Sequence, residues 1–488
     1  MTRLPPSPPI SDSLETPSRA YRPLSDDNAG LLFKTGVIGV VGLALYFGLT
    51  AQVEDPLHRY QGLAMLFLAA LPALLWARRQ DTSFPIFQTF MITGINSFAL
   101  PLLGGHELLN RYPPSSVSAA SWGVILFQAC ALISYHLVQG LPRTSPWWTT
   151  PLFQRSIDRY LRIGMVVTTL YGAISRFTTI IPVEMVGVSR AVVFGVGILC
   201  TFLMSRAWGT GDLSLRDKGF FCFMLGLQVI FLISSLFLVG AVSIIILALL
   251  GYISGGKRLP IVALVAIFLT LAVLHNGKSA MRMKYWEGDK PLPTIFQLPE
   301  FFAEWVTSGL QSPDSDGGRE RRFASLRLIE RTSLLHMMTL VVDATPARQP
   351  FLDGETYTHI IPQLIPRLFW PDKPIGHVST QRLATYYGLQ TEEDTLKTTI
   401  GFGMLVEAYS NFGYIGLAVL GIVIGTLSKL AGIWSKYSPL VSYPGLLMVL
   451  LMAWSFQIEL PLSAWLSSLY QATLAVLGVP FLVKLFFD

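Results

Sequence analysis

Twelve apolar runs divide the sequence, and each is about long enough to cross a membrane as a helix. They begin near Leu31, Gly62, Phe84, Val117, Leu161, Val188, Gly219, Val239, Leu259, Thr399, Val441 and Leu462. A spanning helix needs about 20 mostly apolar residues. The run over residues 219–253 is too long for one crossing and predicts a break near Gly240, whereas the run over residues 399–428 predicts a bend at Asn411–Gly413. This pattern predicts an all-α polytopic membrane protein with about 12 transmembrane helices.

The composition supports a membrane protein and excludes other classes. Hydrophobic residues make up 52% of the 488 residues and charged residues only 14%, whereas roughly a quarter of a soluble domain is charged. The net charge of +6 does not indicate a nucleic acid partner, because membrane proteins collect Lys and Arg on the cytoplasmic side. The cysteines Cys130, Cys200 and Cys222 lie in apolar runs, and their spacing predicts neither a disulfide framework nor a zinc site.

Basic residues in alternate short connections predict the orientation of the spans. The clusters include Arg78/Arg79, Lys257/Arg258 and Lys429/Lys436, and all fall on one side, which the positive-inside rule makes cytoplasmic. Residues 1–30 predict a disordered cytoplasmic tail instead of a cleaved signal peptide. Residues 31–275 then hold helices 1–9, residues 276–398 form one large external loop, and residues 399–488 hold helices 10–12. Both termini are therefore expected to be cytoplasmic.

The large external loop is the predicted site of function, because long ordered loops between spans usually carry it. It begins with the basic and aromatic stretch Lys278–Trp286, and the amphipathic segment Phe296–Leu310 predicts a helix along the membrane surface. Asp314 and Asp316 form a DxD pattern, which binds a cation in metal-dependent sugar transferases. The same pattern beside Pro and Gly is common in turns, so we interpret it as a turn and predict no metal site.

A predicted helix over Phe323–Ala344 carries two polar patches. One stripe at helical spacing consists of Ser325, Thr332, His336, Thr339 and Asp343. The second patch contains Arg327, Glu330 and Arg331. Such charges are typical of a solvated surface helix, or of arginines directed at phosphate, which a guanidinium binds through two parallel hydrogen bonds.

The segment Ile360–His377 contains four prolines, which favour a stiff, extended backbone over a regular helix or a central strand. Within it, Arg367 and Lys373 flank Trp370. Two cations beside an aromatic ring suit a phosphate or, through stacking, a sugar ring. A rigid structural strap is the alternative interpretation.

One ionisable residue, Glu407, lies in the first turns of the tenth predicted span, where Ser410 and Asn411 share its helical face. A carboxylate at membrane depth is costly and therefore indicates function by default. The alternative is a structural ion pair with Arg176 or Arg190, which lie near the external ends of their own spans. Either arginine can instead bind an anionic head group at the external interface.

The succession ERTSLLHMM, TPARQPFLDGETY, IPRLFWPDKP and GMLVEAYSNFGYIG resembles the bacterial oligosaccharide repeat-unit polymerases, the Wzy or O-antigen polymerase group. The resemblance covers roughly residues 325–417, and the remaining helices match only in number and hydropathy. It implies a GT-C-like glycosyltransferase in the bacterial inner membrane, with the large loop in the periplasm. A growing glycan on one undecaprenyl pyrophosphate is transferred to a hydroxyl of a second lipid-linked repeat unit.

The resemblance also implies the partners and the site. The partners are undecaprenyl-pyrophosphate-linked glycans as donor and acceptor, membrane lipid and a chain-length regulator protein. No metal, nucleotide or other cofactor is expected, because pyrophosphate is already a good leaving group. For the catalytic base, Glu407 is the first choice and His336 the second, and Glu407 can instead hold the arginines in place. The residues expected to bind pyrophosphate or sugar are Arg331, Arg367, Lys373, Arg327, Arg176, Arg190 and Trp370; the first two match motif positions of the family.

Two other functions compete with polymerisation. An O-antigen ligase uses the same donor but transfers the glycan to a lipid A core, and only the proline-rich segment and the E-A-Y-x-N-F-G motif favour a polymerase. A flippase for lipid-linked oligosaccharide fits the number of helices, but it would need charges spread over many spans. A non-enzymatic chain-length factor would usually show two spans and long coiled coils. The concentration of charge in one external loop favours surface chemistry.

Overall fold

A computed structural model describes residues 26–50, 55–79, 84–140, 157–178, 180–181, 183–236, 238–258, 260–288, 290–310, 333–365, 370, 377–397, 399–436 and 442–487. At residues 183–192 the description is limited to the backbone. The regular secondary structure of the described residues is entirely helical.

The α-helices are, in chain order, α1 (Asp26–Thr50), α2 (Pro56–Arg79), α3 (Ile86–Leu103), α4 (Pro114–Leu137), α5 (Ile157–Phe177), α6 (Val183–Thr210), α7 (Leu215–Ser234), α8 (Leu238–Ser254), α9 (Ile261–Arg282), α10 (Leu298–Leu310), α11 (Leu334–Ala344), α12 (Ile360–Leu364), α13 (Val378–Tyr386), α14 (Glu392–Lys397), α15 (Gly403–Lys436), α16 (Tyr443–Trp454) and α17 (Leu462–Phe487). A π-helical turn at Ile95–Ala99 interrupts α3. Each predicted apolar run coincides with a helix, namely α1–α9 or α15–α17.

Eight of the described helices are long and apolar enough to cross a membrane: α1, α2, α3, α4, α6, α7, α9 and α15. The chain is therefore an all-α membrane protein, as predicted. Two further helices, α8 with 17 residues and α16 with 12 residues, are shorter than a full crossing requires. The total of about 12 spans stays a prediction.

Both expected irregularities are present. The break near Gly240 is confirmed to within a few residues, because α7 ends at Ser234 and α8 begins at Leu238. The chain turns at Leu236, whose φ of 61° lies in the left-handed region, and Gly240 itself is helical. The bend is confirmed at Gly413, with φ 60° and ψ −143° inside α15. Only glycine adopts this conformation without strain, and a Cβ there would lie 3.1 Å from the Phe351 ring.

The seam between α4 and α15 is the centre of the larger apolar core, which also includes residues of α2, α3 and α11. The two helices approach closely because glycines of α15 face the backbone of α4. A Cβ at Gly421 would lie 2.6 Å from the Phe127 carbonyl oxygen. Near the kink, the Tyr414 hydroxyl donates to the Ala119 carbonyl at 3.0 Å. Small residues give close helix packing of this kind in membranes.

Three basic residues that were predicted to share one side, Arg79, Lys257 and Lys429, lie at the same end of the bundle. The Asn28 amide donates to the Lys257 carbonyl at 2.6 Å, which joins the beginning of α1 to the connection before α9. The Lys429 ammonium lies 4.9 Å from the ring centre of Tyr135, in the last turn of α4. The kinked beginning of α15 is at the opposite end. The side of the membrane on which each end lies stays a prediction.

Part of the large loop differs from the expectation. The amphipathic segment forms helix α10, but α10 packs antiparallel along α9 and does not lie separately from the spans. The Trp305 indole donates to the Leu274 carbonyl at 2.7 Å, and the Tyr285 and Phe301 ring centres are 5.2 Å apart. The buried Trp305 and Phe301 explain the difference, because the apolar face of α10 is covered by protein.

The beginning of the proline-rich segment is helical, so the expectation of an extended backbone is wrong for α12. Pro362 is the third residue of this short helix. Proline is tolerated in a first turn, because the backbone N–H it lacks has no partner there. Within the remainder of the segment, the structure describes Ile365, Trp370 and His377.

Candidate functional site

Glu407 occupies the first turns of α15, as predicted, and its side chain is fully buried. One carboxylate oxygen, Oε2, accepts a hydrogen bond from the backbone N–H of Leu462 at 2.6 Å. Leu462 is the first residue of α17, where backbone N–H groups have no partner within their own helix. Glu407 therefore fixes the beginning of α17 against α15. A negative charge is also favourable at the beginning of a helix.

Asn411, one turn after Glu407, binds the loop that precedes α12. Its Oδ1 accepts from the Gly354 N–H at 3.0 Å, and its Nδ2 donates to the Thr356 hydroxyl at 2.8 Å. The same Nδ2 donates to the Glu407 carbonyl at 2.8 Å. We call Glu407, Asn411, Thr356 and the Leu462 amide the glutamate hub. These bonds join two sequence motifs, PFLDGETY and EAYSNFG, that are more than 50 residues apart.

Helix α13 covers the glutamate hub from the outside. The Ser379 hydroxyl donates to the Thr356 carbonyl at 3.0 Å, and the Ser463 hydroxyl donates to Ser379 at 2.8 Å. Farther out, the Arg382 guanidinium makes two bonds, of 2.7 and 3.0 Å, to the Glu355 carboxylate. This cover explains why Glu407 has no solvent exposure.

A second polar group surrounds His336 at the beginning of α11. His336 Nε2 lies 3.4 Å from the Tyr112 hydroxyl. The His106 ring is stacked on the His336 ring, with centres 5.8 Å apart and planes 8° from parallel. Asp343, two turns after His336, accepts from the Ser116 hydroxyl at 2.8 Å and forms an ion pair with Arg348. We call His106, Arg111, Tyr112, Ser116, His336, Asp343 and Arg348 the histidine cluster.

The electrostatics of the histidine cluster favour a neutral imidazole beside a protonated hydroxyl. Burial, followed by the charges of His106 and Arg111, lowers the pKa of His336 to about 4. Burial, followed by Asp343, raises the pKa of Tyr112. At neutral pH the Tyr112 hydroxyl and the Nε2 of His336 therefore meet as two uncharged groups. His336 is only partly buried, so its imidazole is accessible to a substrate in a way that the Glu407 carboxylate is not.

The two candidate bases lie in separate groups at the same end of the bundle. Arg176 is in neither group, because its guanidinium donates to the Ser234 hydroxyl at 3.1 Å and to the Ser234 carbonyl at 2.9 Å. It fixes the end of α7, and within the described residues no ion pair joins it to Glu407. Trp370 is 39% exposed, as a residue that stacks on a sugar would need to be.

Several predicted residues are outside the part of the chain that the structure describes. These are Arg327, Arg331, Arg367, Lys373 and the DxD pair Asp314 and Asp316. For Arg190, the description is limited to the backbone. Within the described ranges, no group of three or more His, Cys, Asp or Glu side chains is arranged to hold a metal ion. The predicted independence of metal remains untested.

Sequence reasoning missed three residues that the structure brings to these groups. His106 and Tyr112 are in the connection between α3 and α4, far from the large loop in sequence. Thr356 is part of a quoted motif, but nothing in its type marks it as a partner of Asn411. One signal was present for His106, because the chain contains only seven histidines and this one lies in a connection predicted to be external.

The fold defines an all-α membrane protein with the glutamate hub and the histidine cluster at one end of the bundle. A family model described as a domain of unknown function (DUF8712) matches residues 220–436. The match begins in α7, ends with α15 and includes His336 and Glu407. No curated protein and no solved structure matches the chain.

Proposed function

We propose that this protein polymerises oligosaccharide repeat units that are linked to undecaprenyl pyrophosphate. In this proposal it is a GT-C-like glycosyltransferase of the bacterial inner membrane, and the reaction takes place at the periplasmic face. The glycan on one lipid pyrophosphate is transferred to the non-reducing-end hydroxyl of a second lipid-linked repeat unit. Its product is a surface polysaccharide, such as an O-antigen or an exopolysaccharide.

The observation that carries the proposal is the assembly, within the described residues, of three of the four resembling segments at one end of the bundle. The backbone N–H of Leu352 donates to the Ser410 carbonyl at 3.0 Å, and Asn411 binds Gly354 and Thr356. Helix α11, which holds His336, packs on both α4 and α15. Motifs distant in sequence therefore meet in one place, as the residues of one active site must.

We assign the base to His336 and a structural role to Glu407. A general base must reach the proton that it removes, and the partly exposed, neutral imidazole meets this requirement better than the buried carboxylate. In the proposed step, His336 takes the proton of the acceptor hydroxyl, whose oxygen attacks the anomeric carbon of the donor. The bond from that carbon to the pyrophosphate oxygen breaks, and the pyrophosphate leaves with the electron pair.

The leaving pyrophosphate needs cations, and we assign these to Arg331 and Arg367, with Lys373 assisting. Negative charge develops as the glycosidic bond breaks, so preorganised arginines stabilise the transition state more than the ground state. Loss of one comparable donor typically costs about 10²–10³ in rate. We expect Arg331→Ala and Arg367→Ala to abolish polymer at normal protein abundance. Arg367→Lys should also be impaired, because lysine lacks the bidentate fork.

A reconstitution tests the proposal directly. Purified protein is supplied with a synthetic undecaprenyl-pyrophosphate repeat unit, without nucleotide, ATP or divalent cation, and the products are separated by size. We expect a ladder of products that persists in EDTA. Transfer that occurs only after a lipid A core acceptor is added would identify a ligase instead. Movement of intact substrate across a vesicle membrane without new glycosidic bonds would identify a flippase.

A further inference from the structure

The connection between α3 and α4 has no role in the proposed reaction so far, yet it supplies three side chains to the histidine cluster, His106, Arg111 and Tyr112. His106 is buried, with 3% of its surface exposed, and its Nδ1 accepts from the Leu108 N–H at 3.1 Å. This bond fixes the orientation of the His106 ring against the 3₁₀ turn Glu107–Arg111. The stacked His336 ring therefore rests on a surface that is itself held in place.

Tyr112 follows the same 3₁₀ turn and approaches His336 from the edge of the ring. The ring centres are 5.8 Å apart and the planes are 54° from parallel, which places the Tyr112 hydroxyl beside Nε2. Two contacts thus restrain the imidazole, one on its face and one at its reactive nitrogen. A base that is held in one plane and one tautomer is preorganised for proton transfer.

We propose that His106 and Tyr112 are positioning residues of His336, so that the connection between α3 and α4 is part of the active site. The catalytic role of these two residues rests on the proposed function. Their effect on the orientation and reactivity of His336 does not. His106 holds the plane of the imidazole. The Tyr112 hydroxyl keeps the Nε2 lone pair unprotonated until the acceptor hydroxyl takes its place and gives its proton to Nε2.

The charged and titratable groups around His336 belong to two parts of the chain. His106, Arg111 and Tyr112 belong to the connection between α3 and α4, and Asp343 and Arg348 belong to α11 and the turn after it. Burial is the largest cause of the lowered pKa of His336, followed by His106 and then Arg111. Replacement of His106 by a neutral residue should therefore raise the pKa of His336 from about 4, while burial keeps it below that of a free imidazole.

The experiment measures the acylation of His336 by diethyl pyrocarbonate, which reacts with neutral imidazole, in the purified full-length protein. The rate at His336 is followed by peptide mass spectrometry between pH 5 and pH 8 and is divided by the rate of N-acetylhistidine at each pH. In His106→Asn we expect a slower reaction at pH 5 than in the unmodified protein, because a higher pKa of His336 leaves a smaller fraction of neutral imidazole. In Tyr112→Phe we expect a faster reaction at pH 7, because Nε2 has lost its hydrogen bond. His359→Asn is the matched control and should change neither result.

Polymer formation provides a second, separate measurement on the same variants. Tyr112→Phe and His106→Asn should each lower the rate by about 10-fold or more, because loss of a group that orients a base costs part of its 10²–10⁴ contribution. Unchanged acylation of His336 in both variants would overturn the inference, whatever the polymer assay shows. Normal polymer formation with altered acylation would overturn the catalytic role of these residues. If the unmodified protein makes no polymer, the proposed function fails, while the acylation profiles still decide whether His106 and Tyr112 control His336.

Discussion

The glutamate hub and the histidine cluster lie at the same end of the bundle, but their surroundings are opposite. Glu407 is fully enclosed, and its carboxylate, its carbonyl and the neighbouring Asn411 side chain all bind other parts of the chain. His336 is partly exposed, and its Nε2 makes a long contact of 3.4 Å to a hydroxyl. The first group joins three segments of the backbone, whereas the second presents a proton acceptor.

This comparison shows why an ionisable residue in a span is an incomplete indicator of catalysis. Burial of Glu407 is compensated at one oxygen, because Oε2 caps the beginning of α17, whereas the buried Oε1 has no hydrogen-bond partner among the described residues. His336 is the stronger candidate for the base because it is partly exposed, whereas the Glu407 carboxylate is enclosed. The predictions below separate the structural contribution of the glutamate hub from the chemical contribution of the histidine cluster.

The largest effect on stability is expected for Glu407→Ala. The change leaves the buried Leu462 N–H without its acceptor, which costs about 1–3 kcal/mol, and it adds a cavity between α15 and α17. We expect a clearly lowered midpoint of thermal unfolding in detergent. Glu407→Gln keeps a side-chain oxygen and the same shape, so it should lie much nearer the unmodified protein. Equal midpoints for Glu407→Ala and the unmodified protein would show that the hub is not structural.

The seam that supports both groups is tested by Gly421→Ala. A methyl group there would lie 2.6 Å from the Phe127 carbonyl oxygen, so α4 and α15 must separate, at a cost typical of overpacking, about 1–3 kcal/mol. Gly226→Ala in α7 is the matched control, because nothing lies within 4 Å of its added methyl group. We expect a lower unfolding midpoint for Gly421→Ala only. If both variants unfold alike, the packing of this seam is not as close as described.

The histidine cluster predicts the pH dependence of the reaction. A base acts in its deprotonated form, which predominates above its pKa, and the pKa of His336 is about 4. The initial rate should therefore be independent of His336 protonation from pH 5 to pH 8 and should fall about 10-fold per unit below pH 4. Rates are measured with the synthetic repeat unit after brief exposure to each pH, with recovery at pH 7 as the control for unfolding. A decline centred near the usual histidine pKa would contradict the lowered pKa of His336.

The smallest effect is expected at the outer edge of the cover over Glu407. Arg382 and Glu355 form a bidentate pair, but both side chains are more than a third exposed. Exposed pairs typically contribute about 0.2–1 kcal/mol, so Arg382→Ala should shift the unfolding midpoint only slightly and should leave polymer formation intact. Thr356→Val, which removes the buried hydroxyl bound by Asn411, should shift it more. If Arg382→Ala lowers the unfolding midpoint more than Thr356→Val does, the exposed ion pair contributes more to stability than the buried hydroxyl.

The sequence predicted the helices well because apolar length is a local property. The twelve runs coincide with helices, and Gly413 marked the kink, since a glycine within an apolar run can adopt a positive φ. The break between α7 and α8 was predicted because the apolar run is too long for one span, but its position at Leu236 and the Arg176 contact with Ser234 depend on packing that the run length does not show. The same limit applies to the candidate site. The burial of Glu407 and the approach of His106 and Tyr112 to His336 follow from the packing of distant segments, which spacing along the chain does not reveal.

The most direct test of the assignment compares His336→Ala with Glu407→Gln in the reconstituted polymerisation assay. Each protein is purified, its folded fraction is measured, and the initial rate with the synthetic lipid-pyrophosphate repeat unit is divided by that fraction. We predict that His336→Ala loses about 10²–10⁴ in rate, the usual contribution of a general base, while Glu407→Gln stays within about 10-fold of the unmodified protein. A folded Glu407→Gln without activity beside an active His336→Ala would contradict the account and make Glu407 the base.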